Sequence, residues 1–222
     1  MPFKSTILKA FSENKIRKFS NAVTQTGSAN TLYKDINGQW KLENTDIFGI
    51  QKTFESLIPR KRKYNLFLFG GGGAASSCLY YARNIDTYCE KIICLTRNPE
   101  KSKTNHPIWN KLEKFEYIEY QEDLNKIGKG YFNSFEFDKS ILQVIVNTIP
   151  HSPKQKMDGN NMISQMERVI PKSKIVFFDM VYKESMEQIY CQGHYIAFKN
   201  GEIMLLEQAK QSFYLWTGIM PE

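Results

Sequence analysis

The stretch Asn65-Leu-Phe-Leu-Phe-Gly70-Gly-Gly-Gly-Ala-Ala75-Ser-Ser carries the clearest chemistry in the chain, because an apolar strand runs straight into a glycine turn and then into an Ala-rich helix start. Such an arrangement holds a nucleotide pyrophosphate. Gly70 permits the tight turn, Gly72 lets backbone amides approach the phosphates, and Ala75 keeps the helix close to its strand. The helix N-terminus then faces the anion with its positive dipole end. A second strand, Lys91-Ile-Ile-Cys-Leu95, ends in Thr96-Arg97-Asn98-Pro99-Glu100-Lys101. An NAD site usually carries a carboxylate there for the ribose hydroxyls. Arg97 and Lys101 suit a ribose 2′-phosphate instead, so these residues favour NADP.

The elements that position this turn can be read from periodicity. From Tyr64 onward the order is strand, glycine turn, helix, strand, which predicts a parallel sheet with right-handed crossovers. Residues 141–146 and 174–178 read as two further buried strands, each followed by a polar residue, Asn147 and Asp179. Ligands bind beyond the carboxyl ends of such strands. Ahead of the turn, Ser5-Thr6 caps one or two short amphipathic helices carrying Ile7, Leu8, Phe11, Ile16 and Phe19. Residues 28–33 read as a strand, Asp35-Ile-Asn37-Gly38 as a turn and residues 39–42 as its hairpin partner. Residues 46–57 predict a linker helix ended by Pro59. The last helix, residues 202–216, is expected to bury Leu206, Ala209, Phe213 and Trp216 on one face, with Gln208 on the flank. From about residue 109 to 138 no period is clear.

With 222 residues, 41% apolar and 14% aromatic, the chain can bury a substantial core as one domain, or one and a part. No apolar run approaches bilayer-spanning length, and Met1-Pro2-Phe3-Lys4 opens no signal peptide, which predicts a cytoplasmic protein without membrane contact. Cys78, Cys89, Cys94 and Cys191 lack C-x-x-C pairing, and His106, His151 and His194 are scattered. They read as reduced thiols and ordinary polar residues, with no metal. The formal charge of +7 includes the run Arg60-Lys61-Arg62-Lys63 and a second around Lys15-Ile-Arg17-Lys18. No nucleic-acid-binding pattern accompanies that charge, so it reads as solvated surface with modest attraction for a polyanionic cofactor and no nucleic-acid partner.

Seven stretches in order make the chain resemble the shikimate dehydrogenase family, the NADP-dependent enzymes that reduce 3-dehydroshikimate to shikimate. Met1-Pro2-Phe3-Lys4 resembles the end of the family's V-T-x-P-x-K, whose lysine is catalytic. Gly27-Ser28-Ala29-Asn30-Thr31 is similar to its G-A-V-N-T, and Asn44-Thr45-Asp46 to its N-T-D, with Gly49 following. Gly70 to Ala75 resembles its G-A-G-G-A turn, and Thr96-Arg97-Asn98 stands where the family has N-R-T. Asp179-Met-Val-Tyr182 resembles a D-x-x-Y segment. Met204-Leu-Leu-Glu-Gln208-Ala209, with Phe213 and Trp216-Thr217-Gly218, is similar to M-L-x-x-Q-A ending in F-x-x-W-x-G.

The resemblance implies a Rossmann-type doubly wound parallel α/β sheet with a partial substrate-binding domain. Residues 1–45 would be the end of the substrate domain, 46–201 the NADP-binding domain with its linker helix, and 202–222 a helix returning toward the first. It assigns catalysis to Lys4 and Asp46 and substrate contacts to Asn30, Gln208 and Tyr182. Cofactor contacts fall to Gly70, Gly72, Gly73, Ala74, Ala75, Thr96, Arg97, Asn98, Lys101, Asn147, Val181, Gly201 and Met204. Reduction of a ring ketone needs hydride at one face and a proton for the oxygen as it becomes an alkoxide, which a positioned ammonium supplies. A neighbouring carboxylate orients that ammonium. The implied setting is aromatic amino acid biosynthesis through chorismate.

Two local departures stand near the cofactor: Ile149 replaces the Thr of N-x-T, and Ile203 replaces a Gly before Met-Leu. The family's earlier S-x-S motif for the substrate carboxylate has no counterpart here. That leaves open a quinate or shikimate-like dehydrogenase, or an impaired NADP-binding homologue or partner subunit that binds cofactor but reduces 3-dehydroshikimate poorly. A homodimer, or association with a missing N-terminal segment, is open in the same way.

Overall fold

The computed structural model describes residues 19–59, 62–111, 115–119, 138, 140–149, 175–182 and 197–222. The expected helices at residues 5–18, Lys4, Cys191, His151, His194 and part of the basic runs lie outside the described residues. The described residues form two sheets. A short hairpin pairs β1 (Thr31–Lys34) with β2 (Trp40–Glu43), antiparallel across the Asp35 to Gly38 turn. The large sheet contains β3 (Tyr64–Phe69), β4 (Cys89–Thr96), β5 (Phe115–Glu119), β6 (Leu142–Asn147), β7 (Ile175–Asp179) and β8 (Ala197–Lys199). Its order is β5-β4-β3-β6-β7-β8 and every neighbouring pair is parallel. That is the doubly wound dinucleotide-binding order, with its switch point between β3 and β6.

Both faces of the central strands are buried, as a parallel sheet requires. Leu66, Leu68, Val144, Val146, Val176 and Phe178 face one side, with Phe67, Phe69, Ile145 and Phe177 on the other, all at most 1% exposed. Against the first face lie α2 (Asp46–Leu57) and α3 (Gly73–Asn84). Each helix follows from its apolar spacing: Ile47, Ile50, Phe54 and Leu57 line α2, and Ala75, Cys78, Leu79 and Ala82 line α3. The α2 helix stops where Ile58, ahead of Pro59, turns extended. Phe54 joins the layers, with ring centroids 5.1 Å from Tyr81 and 6.2 Å from Phe178.

Shorter helices complete the described fold: α1 (Asn21–Thr26), α4 (Pro99–Asn105) and a 3-10 turn at Pro107–Asn110. The strand β5, Phe-Glu-Tyr-Ile-Glu, falls in the region whose period the sequence left unclear, and its apolar and polar residues do not strictly alternate.

The last helix, α5 (Glu202–Thr217), runs where expected but turns a different face inward. Met204 and Ser212 are its buried residues, whereas Leu206, Phe213 and Trp216 are 56, 43 and 61% exposed and Ala209 is exposed too. The reason is close backbone packing. A Cβ on Gly49 of α2 would fall 2.4 Å from the Met204 carbonyl oxygen, so α5 approaches α2 along the line of Met204, Gln208 and Ser212, not along its apolar stripe. Gly49→Ala must push the helices apart, at a cost of about 2 kcal/mol. The melting temperature should fall by about 4–8 °C, and an unchanged value would show that this contact is not needed.

Candidate active site

The hairpin, the start of α2 and the middle of α5 converge on one amide. Asn30, just ahead of β1, donates from Nδ2 to Asp46 Oδ1 at 2.8 Å and lies 3.5 Å from Gln208 Oε1. Its Oδ1 accepts from the Thr45 backbone N–H at 2.9 Å and from the hydroxyls of Thr45 and Thr31, each at 3.1 Å. Those partners fix which way the amide points. Asp46 is 1% exposed and stands in the first turn of α2, where the helix dipole favours a carboxylate. The structure thus brings together Asn30, Asp46 and Gln208, although 178 residues separate the first from the last.

Beneath the amide lies a hydroxyl cluster that the sequence reading missed. Ser212 Oγ is 2.7 Å from Thr31 Oγ1 and 3.0 Å from Thr45 Oγ1, and also lies 2.9 Å from the Gln208 carbonyl. Its signal was the i, i+4 spacing from Gln208, which puts both on one helix face.

The cluster is anchored to the large sheet's helices from the other side. Gly27, in the left-handed region at φ 58°, closes α1, and a Cβ there would fall 2.1 Å from the Asn105 carbonyl. Buried His106 approaches Thr26 O through Nδ1 at 2.5 Å. The Asn44 amide donates to Thr26 Oγ1 at 3.1 Å and to Ser77 Oγ on α3 at 2.9 Å. Far from an incidental polar residue, His106 holds the segment that leads into Asn30.

At the carboxyl ends of the sheet, Gly70 adopts φ 112° with Thr148 Oγ1 against it, and Gly72 caps α3 with open space where a Cβ would be. Gly73 opens the helix, Ala74 is half-buried and Ala75 fully buried. A glycine turn with room above a helix N-terminus fits a dinucleotide pyrophosphate. Thr96 is buried at the end of β4, Arg97 and Lys101 are exposed, and Asn98 caps α4 by accepting from Lys101 N at 2.8 Å. Asn147 is turned toward its own sheet, donating to buried Asp179 at 3.1 Å, and Val181 N donates to the same carboxylate at 3.1 Å. Gly201 meets the Met180 carbonyl so closely that a Cβ would fall 2.2 Å away, and Met204 covers Gly49. Tyr182 is exposed beyond β7. Burial pushes the Cys89 thiol up to about 12 and raises those of Cys78 and Cys94 as well, so these cysteines stay protonated near neutral pH. No described helix is long and apolar enough to cross a membrane.

Comparison with known proteins finds relatives that share one name. A shikimate dehydrogenase (NADP(+)) of Caldanaerobacter subterraneus subsp. tengcongensis is 27% identical over 98% of this chain and 70% of its own length. One from Methanococcus aeolicus is 28% identical over 100% of this chain and 72% of its own length. The solved shikimate dehydrogenase of Aquifex aeolicus, 22% identical, superposes with a TM-score of 0.66 over 100% of this chain and 71% of that one. It shares the fold. No family model matches the chain. The chain thus spans about 70% of the length of the relatives it matches, and the resemblance carried by its motifs is met by relatives of that family name.

Burial lowers the His106 pKa, with the hydrogen bond to Thr26 opposing it. Below the unfolded value of about 6.5, the unfolded chain takes up a proton that the folded chain resists. Stability present above that pH is lost as pH falls through and below it. The melting temperature should therefore drop more between pH 7.5 and 5.5 for the native chain than for His106→Gln. Identical slopes would contradict it.

Proposed function

We propose that this homologue of the shikimate dehydrogenases is an NADPH-dependent oxidoreductase that reduces 3-dehydroshikimate to shikimate, in the cytoplasmic route to chorismate. The observation that carries the reading is the convergence of Asn30, Asp46 and Gln208 beside the carboxyl end of a doubly wound sheet. The Asn30 amide ties the hairpin to α2, but that joint has no need of a second amide, Gln208, brought to the same spot by α5. A polyhydroxylated ring has such a need, because each hydroxyl both donates and accepts. On this reading residues 1–45 contribute to the substrate side, 46–201 hold the cofactor and 202–222 return to the first part.

The bound cofactor supplies hydride from its nicotinamide. Everything else falls to the chain. Gly70, Gly72, Gly73, Ala74 and Ala75 shape the pyrophosphate cradle, and Thr96, Arg97, Asn98 and Lys101 form the loop for the adenosine end. Asn147, Val181, Gly201 and Met204 belong to the wall beyond β6 and β7, with Tyr182 at its outer edge. Asn30 and Gln208 grip ring hydroxyls. Asp46, held by Asn30, orients the Lys4 ammonium, which delivers the proton to the developing alkoxide.

Arg97, just past β4, and Lys101, in the first turn of α4, suit a 2′-phosphate by charge-assisted pairing. NADPH should therefore bind more tightly than NADH in a fluorescence titration, and Arg97→Ala should erase most of the difference. Equal affinities in the unmutated protein would remove the assignment. For the chemistry, Lys4→Ala and Asp46→Asn should each lower shikimate-dependent turnover with NADP by about 100-fold, while NADPH affinity holds. Turnover at the native level in either variant would take that residue out of the mechanism.

A further inference from the structure

We propose that Ser102 is a positioning residue for the dinucleotide, tying the glycine turn that receives the pyrophosphate to the Arg97 loop that receives the 2′-phosphate. The inference rests on the NADP reading above. Ser102 lies one turn into α4 and is 4% exposed. Its Oγ donates to the Gly71 carbonyl at 2.9 Å, nearer than the Asn98 carbonyl at 3.2 Å, which already accepts from the Ser102 backbone N–H. The same short helix is capped by Asn98, next to Arg97, so the hydroxyl joins the two loops directly.

The neighbouring contacts point the same way. Cys94 Sγ lies 3.3 Å from the Gly70 carbonyl, and Gly70 N donates to Leu95 O at 2.8 Å. In a trans peptide the C=O and N–H point in opposite directions. Drawing the Gly70 and Gly71 carbonyls toward β4 and α4 therefore turns the amides of Gly71 and Gly72 away from that flank. Gly72, the next residue, has open space where a side chain would be. The fit on the Gly71 side is tight, because a Cβ there would fall 2.2 Å from Ser102 Oγ and 2.4 Å from Thr96 Oγ1. Turn, strand end and helix are thus in direct contact, with Ser102 supplying the hydrogen bond that sets their spacing.

A ligand that reaches both loops depends on that spacing, and one that reaches a single loop does not. NADPH and adenosine 2′-monophosphate separate the two cases. In calorimetric titrations, Ser102→Ala should weaken NADPH about fivefold, the loss expected for one hydrogen bond. The affinity for adenosine 2′-monophosphate should change by less than about twofold, because its contacts lie within the Arg97 loop. An unchanged NADPH affinity would overturn the proposal, and so would an equal loss for both ligands, which marks a general disturbance of α4. Failure of the unmutated protein to bind NADPH would overturn the cofactor reading itself, and the positioning role with it.

Discussion

The side-chain amide of Asn30 is the joint on which the candidate site depends. It donates to Asp46 and accepts from Thr45 and Thr31, so one planar group fixes the hairpin against the N-terminus of α2. An amide has the right balance for this. A carboxylate in its place could not donate to Asp46 and would set two negative charges side by side, whereas an aliphatic residue would leave the Thr45 N–H without this acceptor. The buried hydroxyls of Thr31, Thr45 and Ser212 then carry the same constraint across to α5, which brings Gln208 within reach.

Close backbone approach makes that arrangement possible. Gly49 lets α5 lie on α2, Gly27 lets the end of α1 lie on Asn105, and Gly201 lets the start of α5 lie on the strand end at Met180. Each contact sets a hairpin or helix bearing site residues against the doubly wound unit. The buried interior of β3, β6 and β7 provides a rigid base, and its carboxyl ends carry the glycine turn and the Arg97 loop. The groups proposed for substrate and for cofactor therefore sit on elements joined by short hydrogen bonds, which favours fixed geometry at a reacting centre.

Much of this was legible in the chain. The glycine turn, the hairpin and the bounds of α2 follow from local chemistry: Gly70 needs its positive φ, Asp35 to Gly38 turns the hairpin, and Pro59 ends the helix. The meeting of Asn30, Asp46 and Gln208 was legible only through the family motifs, because spacing alone relates residues within one element and not across 178 positions. The inward face of α5 was misread for a related reason. Its apolar stripe is the stronger pattern, yet the glycine that admits the helix stands on α2, so Met204 and Ser212 face inward instead. His106 was read as an ordinary polar residue and Ser102 was not singled out, because a lone polar residue carries no period and only tertiary contact reveals its partner.

A crystal structure of the chain with NADP and shikimate tests the central claim most directly. Ring hydroxyls should lie within hydrogen-bond distance of Asn30, Asp46 and Gln208, the pyrophosphate over Gly72, and the 2′-phosphate against Arg97. Shikimate bound away from Asn30 and Asp46, or a dinucleotide that leaves the glycine turn empty, would contradict it.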